Sequence, residues 1–63
     1  MKTFKELRLS SGLSQMKLAE KLGVTQAAVS MWERVVAKPD IFNVWALSKI
    51  FRVSVKKVIS LYL

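Results

Sequence analysis

The sequence predicts an all-α fold, a compact five-helix domain, and three observations predict it. Thr3, Ser14, Thr25, Asp40 and Ser54 are helix-capping residues, and each precedes apolar residues repeating at helical spacing. Gly12 and Gly23 stand where the first two of those patterns stop, as helix-ending glycines do. Pro39 falls between the third and fourth patterns, where a loop must lie.

The elements follow in order. Thr3 with Glu6 fits a capping box, opening a helix from about Thr3 to Ser11 that buries Phe4 and Leu7 before Gly12 ends it. Ser14 caps a second helix over 15–22, with Leu18, Ala19 and Leu22 on one face, and Gly23 closes it. Thr25 caps a third over 26–34, carrying Val29 and Trp32 inward. Asp40 caps a fourth over 41–51, its charge favourable at the positive helix end, with Ile41, Val44, Leu47, Ser48 and Phe51 as the buried stripe. Ser54 caps a last helix through about Tyr62, with Val55, Val58, Ile59 and Tyr62 at helical spacing. This C-terminal segment also alternates as a strand does, at Val53, Val55, Lys57, Ile59, Leu61 and Leu63. The alternative there is a strand; the Ser54 cap argues for helix.

Two short helices joined at Gly23-Val24-Thr25 form a unit that can lay a helix in the major groove of DNA. The charge agrees. Eleven Lys and Arg stand against four acids, a net charge of +7 that suits a polyanion. Sixty-three residues predict one domain over 1–63, near the lower limit for a core without staples. With no cysteine and no histidine, neither a disulfide nor a nitrogen- or sulfur-ligated metal is expected, and no cofactor. The same lack, with only four scattered acids, leaves no acid–base pair or nucleophile–base set, so an enzyme is not expected. No uncharged apolar run approaches the roughly 18–20 residues a membrane span needs. The charged start Met1-Lys-Thr-Phe-Lys-Glu does not read as a signal peptide. A cytoplasmic, bacterial or phage-encoded protein is expected, with no membrane partner and no small-molecule ligand.

The ordered combination Leu7-Arg8, Gly12-Leu13-Ser14-Gln15, Leu18-Ala19, Leu22-Gly23-Val24-Thr25-Gln26, Val29-Ser30, Trp32-Glu33-Arg34, Pro39, Leu47-Ser48, Phe51 and Val53-Ser54 resembles the helix-turn-helix repressors of the Cro and phage-repressor type. These include the xenobiotic-response-element-like regulators. The resemblance runs from about Phe4 to Val58 and implies a lambda-repressor-like DNA-binding domain. Two positions depart from it. The family usually carries a glycine where this chain has Val35, and another where it has Arg52. A left-handed backbone there costs a β-branched residue about 1–2 kcal/mol, so either these helix ends take another geometry or they are strained.

The resemblance also implies roles. Gln26, at the head of the recognition helix, is placed to pair with adenine; Ala27, Ser30 and Met31 follow on its exposed face as further base contacts. Gln15, Thr25, Arg34 and Lys38 are the phosphate contacts, with Gln15 acting beside a helix N-terminus. Lys17 and Lys21 fit phosphate contact and simple solvation equally. Arg8 and Glu33 stand where the family places a partly buried ion pair, a structural one.

Trp45 lies off the Ile41–Val44–Phe51 stripe, and Val55, Ile59, Tyr62 and Leu63 add apolar surface beyond what one small core needs. Mean hydropathy is +0.30, high for so short a chain. Trp45 either roofs the core or lies in the seam of a weak homodimer, which would set two recognition helices about 34 Å apart on double-stranded DNA. The function expected is a sequence-specific transcriptional regulator, a repressor occluding a palindromic operator. The alternative is an antitoxin or adaptor whose apolar C-terminal face binds a partner protein.

Overall fold

The computed structural model describes residues 2–63 as five helices: α1 Phe4–Ser10, α2 Gln15–Leu22, α3 Gln26–Glu33, α4 Ile41–Phe51 and α5 Val55–Ser60. All five expected caps form. The Thr3 hydroxyl accepts the Glu6 amide at 3.2 Å and the Glu6 carboxylate accepts the Thr3 amide at 3.0 Å, closing the capping box. Those bonds from Thr3 hold the Glu6 carboxyl below its ordinary value. Ser14, Thr25, Asp40 and Ser54 accept the amides of Lys17, Ala28, Asn43 and Lys57 at 2.8–3.1 Å. Each such cap contributes about 1 kcal/mol.

The first four helices also end alike. In each, an amide reaches back five residues: Leu13 to the Arg8 carbonyl, Val24 to Ala19, Val36 to Met31 and Val53 to Ser48, at 2.9–3.2 Å. This closure requires a left-handed residue just before the donor. Gly12 (φ +72°) and Gly23 (φ +70°) supply it at little cost, but Val35 (φ +61°) and Arg52 (φ +57°) supply it as well. The two departures from glycine therefore keep the glycine geometry, and the strain, in place.

The core gathers residues from all five helices, and the four fully buried side chains, Leu18, Val29, Leu47 and Val58, come one each from α2 to α5. Phe4 of α1 meets Phe51 of α4 edge to face, with ring centroids 5.3 Å apart. Arg8 ties α1 to α3: its Nε donates to Glu33 Oε2 at 2.8 Å and its Nη2 to Glu33 Oε1 at 3.2 Å. Its Nη1 donates to the Leu13 carbonyl at 2.8 Å. The ion pair expected from the sequence is thus bidentate and nearly buried.

Three expectations are corrected. Ile41 belongs to no buried stripe; it is 62% exposed, whereas Val44, Leu47, Ser48 and Phe51 are buried. Side chains lean toward the helix N-terminus, so a residue in the first turn of α4 overhangs the edge of the core, while Pro39 before it is buried. The C-terminal segment is helical but stops at Ser60, short of Tyr62. Three-residue bonds from Leu61 to Val58 and from Tyr62 to Ile59 tighten it into a turn. Val55 and Tyr62, assigned outside the core, pack against it. The Tyr62 hydroxyl donates to the Trp32 carbonyl of α3 at 3.0 Å, and burial, then the neighbouring Glu33 charge, pushes its pKa up to about 12. Among the described residues, no helix is long and apolar enough to cross a membrane.

Candidate nucleic-acid interface

Helix α3 has one inner and one outer side. Val29 and Trp32 are buried, and on the opposite arc of the helical wheel Gln26 and Ala27 are exposed and Ser30 and Met31 half-exposed. All four residues expected to touch bases therefore share one face. Gln26 stands exposed at the first helical position, and its amide offers both a donor and an acceptor. The Thr25 hydroxyl accepts the Ala28 amide at 3.1 Å, which leaves its proton free to donate to a phosphate.

Helix α2, packed against α3, begins with Gln15. The Ser14 cap satisfies the Lys17 amide, and the amides ahead of it, of Gln15 and Met16, have no partner within the helix. Those donors, the positive end of the helix and the half-exposed Gln15 side chain lie together at the start of α2, an arrangement chemically able to hold an anion. Arg34 and Lys38 are exposed on either side of the α3–α4 loop. Arg34 folds back along α3, donating from Nε to the Ser30 hydroxyl at 3.4 Å. Lys17 lies 3.8 Å from Glu20 in an exposed pair, so part of its charge is already matched.

If Arg34 and Lys38 track a phosphate backbone, Arg34→Ala and Lys38→Ala each reduce the slope of log affinity against log salt by about one. Titrations of one duplex at four salt concentrations measure it, and an unchanged slope would place these side chains away from DNA.

The residues assigned to a dimer seam divide in two. Trp45, Ile59 and Leu63 are exposed; Val55 and Tyr62 are half-buried against the core. Sequence reasoning missed two of their apolar neighbours in α4. Phe42 is 81% exposed and Ile41 joins it, so α4 carries Ile41, Phe42 and Trp45 on its outer side. Phe42, Trp45 and Lys49 stand at helical spacing, the signal that marks this second stripe. The Lys49 ammonium lies 5.3 Å from the centre of the Trp45 ring and shields one face of it.

The comparisons agree with this geometry. A family model described as Helix-turn-helix matches residues 4–58. The protein of Enterococcus faecalis named HTH-type transcriptional activator BcrR is 34% identical over 55 residues, which are 87% of this chain and 27% of that protein. The chain thus spans about a quarter of that relative's length. No solved structure matches it.

Proposed function

Because the chain belongs to the helix-turn-helix family over residues 4–58, we propose that it is a sequence-specific DNA-binding transcription regulator that reads the major groove with α3. The observation that carries this reading is the shared free face of Gln26, Ala27, Ser30 and Met31, opposite the buried Val29 and Trp32. In this reading Gln26 pairs with an adenine edge, Ala27 packs on a thymine methyl, and Ser30 and Met31 meet the next base pairs. Gln15, Thr25, Arg34 and Lys38 hold phosphates on either side, so the register is set before any base is read. The net charge of +7 draws the protein to DNA of any sequence.

Selection from a random DNA pool tests the proposal. We expect two inverted half-sites about 10 base pairs apart, since two-fold related recognition helices enter successive major grooves about 34 Å apart. Gln26→Ala should relax one base pair of each half-site and weaken specific binding by about tenfold, with binding to random DNA unchanged. Equal loss on both would remove Gln26 from base readout.

The two-fold seam we assign to the exposed apolar residues of α4 and α5, Ile41, Phe42 and Trp45 with Ile59 and Leu63. Their exposure supports it, since a free monomer holds them against water at roughly 25 cal/mol per Å². Self-association is expected to be weak, because a few side chains must offset the entropy of joining two bodies. Trp45→Lys should abolish it in sedimentation and remove cooperative filling of the half-sites. A monomer at millimolar concentration with independent filling would assign the apolar face to a foreign protein instead, as an antitoxin or adaptor requires. The sign of regulation follows from operator position: a dimer over the polymerase site occludes it and represses. The Enterococcus faecalis relative carries the name of an activator.

A further inference from the structure

A groove lies where the ends of α1 and α4 approach α2, and its wall is basic. Lys21 of α2, Lys49 of α4 and Arg52, just past the end of α4, line it together with the hydroxyls of Ser10 and Ser11. Leu13 and Phe51 give it an apolar floor. No carboxylate lines it, and among the described residues none of the three cations is paired with an acid; the ion pairs are Arg8–Glu33 and Lys17–Glu20. Ser10 accepts a long bond of 3.4 Å from Lys2, so its own proton is free to donate; Ser11 is engaged, donating to the Leu7 carbonyl. Arg52 holds this place at φ +57°, where a glycine would relax the backbone. A strained cation therefore completes the groove in place of an unstrained residue without charge.

We propose that this groove binds a phosphate group, in addition to the DNA-binding role of the opposite helix ends. A planar guanidinium and the Lys21 ammonium match the charge of a phosphate, the Lys49 ammonium can join them by leaving the Trp45 ring over which it lies, and a free hydroxyl adds a donor to the phosphate oxygens. The apolar floor favours a phosphate attached to an aromatic or aliphatic body over the inorganic ion. The groove is separate from the phosphate anchors of the DNA face. Lys21 is six residues along α2 from Gln15, about 9 Å, and Arg52 lies at the end of α4 remote from the Lys38 loop.

The test titrates the isolated protein with inorganic phosphate and with phenyl phosphate at constant ionic strength in chloride, following backbone amide shifts. Saturable shifts at Ser10, Ser11, Lys21 and Arg52 are expected, with phenyl phosphate the tighter ligand. Arg52→Gly removes the cation and relaxes the backbone together, so it stays folded and melts higher, yet its phosphate affinity falls about tenfold. Lys21→Gln should weaken binding in the same direction. The salt slope of operator binding separates the two sources of phosphate. An unchanged slope in Arg52→Gly makes the ligand a free organic phosphate, and a slope reduced by about one makes it a phosphate of the duplex. Absence of saturable shifts together with an unchanged slope, or shifts that survive Arg52→Gly at full affinity, would overturn the proposal.

Discussion

Glu33→Ala is expected to destabilise the domain by about 3 kcal/mol or more, because it strands a nearly buried guanidinium. Arg8 spends all three of its nitrogens inside the fold, two on Glu33 and one on the Leu13 carbonyl. Without the carboxylate two of them lose their partners in a place that water hardly reaches. The pair itself adds little net stability, since taking both charges out of water offsets most of their attraction. Its effect lies in the asymmetry: one member alone is worse than none. A domain of this length has about 3–9 kcal/mol of total stability, so the loss removes a large share of it. Each kilocalorie corresponds to roughly 4–8 °C at this size, and thermal unfolding followed by circular dichroism should show a fall of more than 10 °C. Replacing both residues by apolar ones of similar volume, Arg8→Met with Glu33→Leu, should recover most of it. A loss below about 1 kcal/mol for Glu33→Ala would mean that the pair behaves as a solvated surface bridge.

Local chemistry made most of the fold legible. A hydroxyl or carboxylate at Thr3, Ser14, Thr25, Asp40 or Ser54 acts within three residues of itself, so each helix start could be read directly. The side of α3 followed from its period, which put Gln26, Ala27, Ser30 and Met31 opposite Val29 and Trp32. What escaped depends on where a helix ends relative to the core. Ile41 obeys the period of α4 but overhangs its partners, and Tyr62 lies in a turn that returns it to α3. Periodicity gives the direction of a side chain; it does not say whether another helix stands there. The basic groove was hidden for a similar reason, since Lys21, Lys49 and Arg52 are brought together only when the ends of α1 and α4 meet α2.

Val35→Gly is expected to stabilise the protein by about 1 kcal/mol, and with Arg52→Gly by about 1.5 kcal/mol. Val35 sits at φ +61°, where its branched Cβ crowds the backbone, and the closure it serves is fully formed, with the Val36 amide on the Met31 carbonyl at 2.9 Å. The bond pattern will not change on substitution, so the strain is what the variant removes. That strain amounts to about 1–2 kcal/mol. Against it stands the greater freedom of glycine in the unfolded chain, about 0.5–1 kcal/mol. The balance is favourable because Val35 is largely exposed and has little packing to lose. Arg52 is unbranched and gains less. Val35→Ala separates the two contributions: it removes the branch while keeping the Cβ, and should gain less than the glycine. The melting temperature should rise by roughly 4–8 °C for Val35→Gly. An unchanged or lower value would show that the valine side chain stabilises the end of α3 by more than its backbone strain.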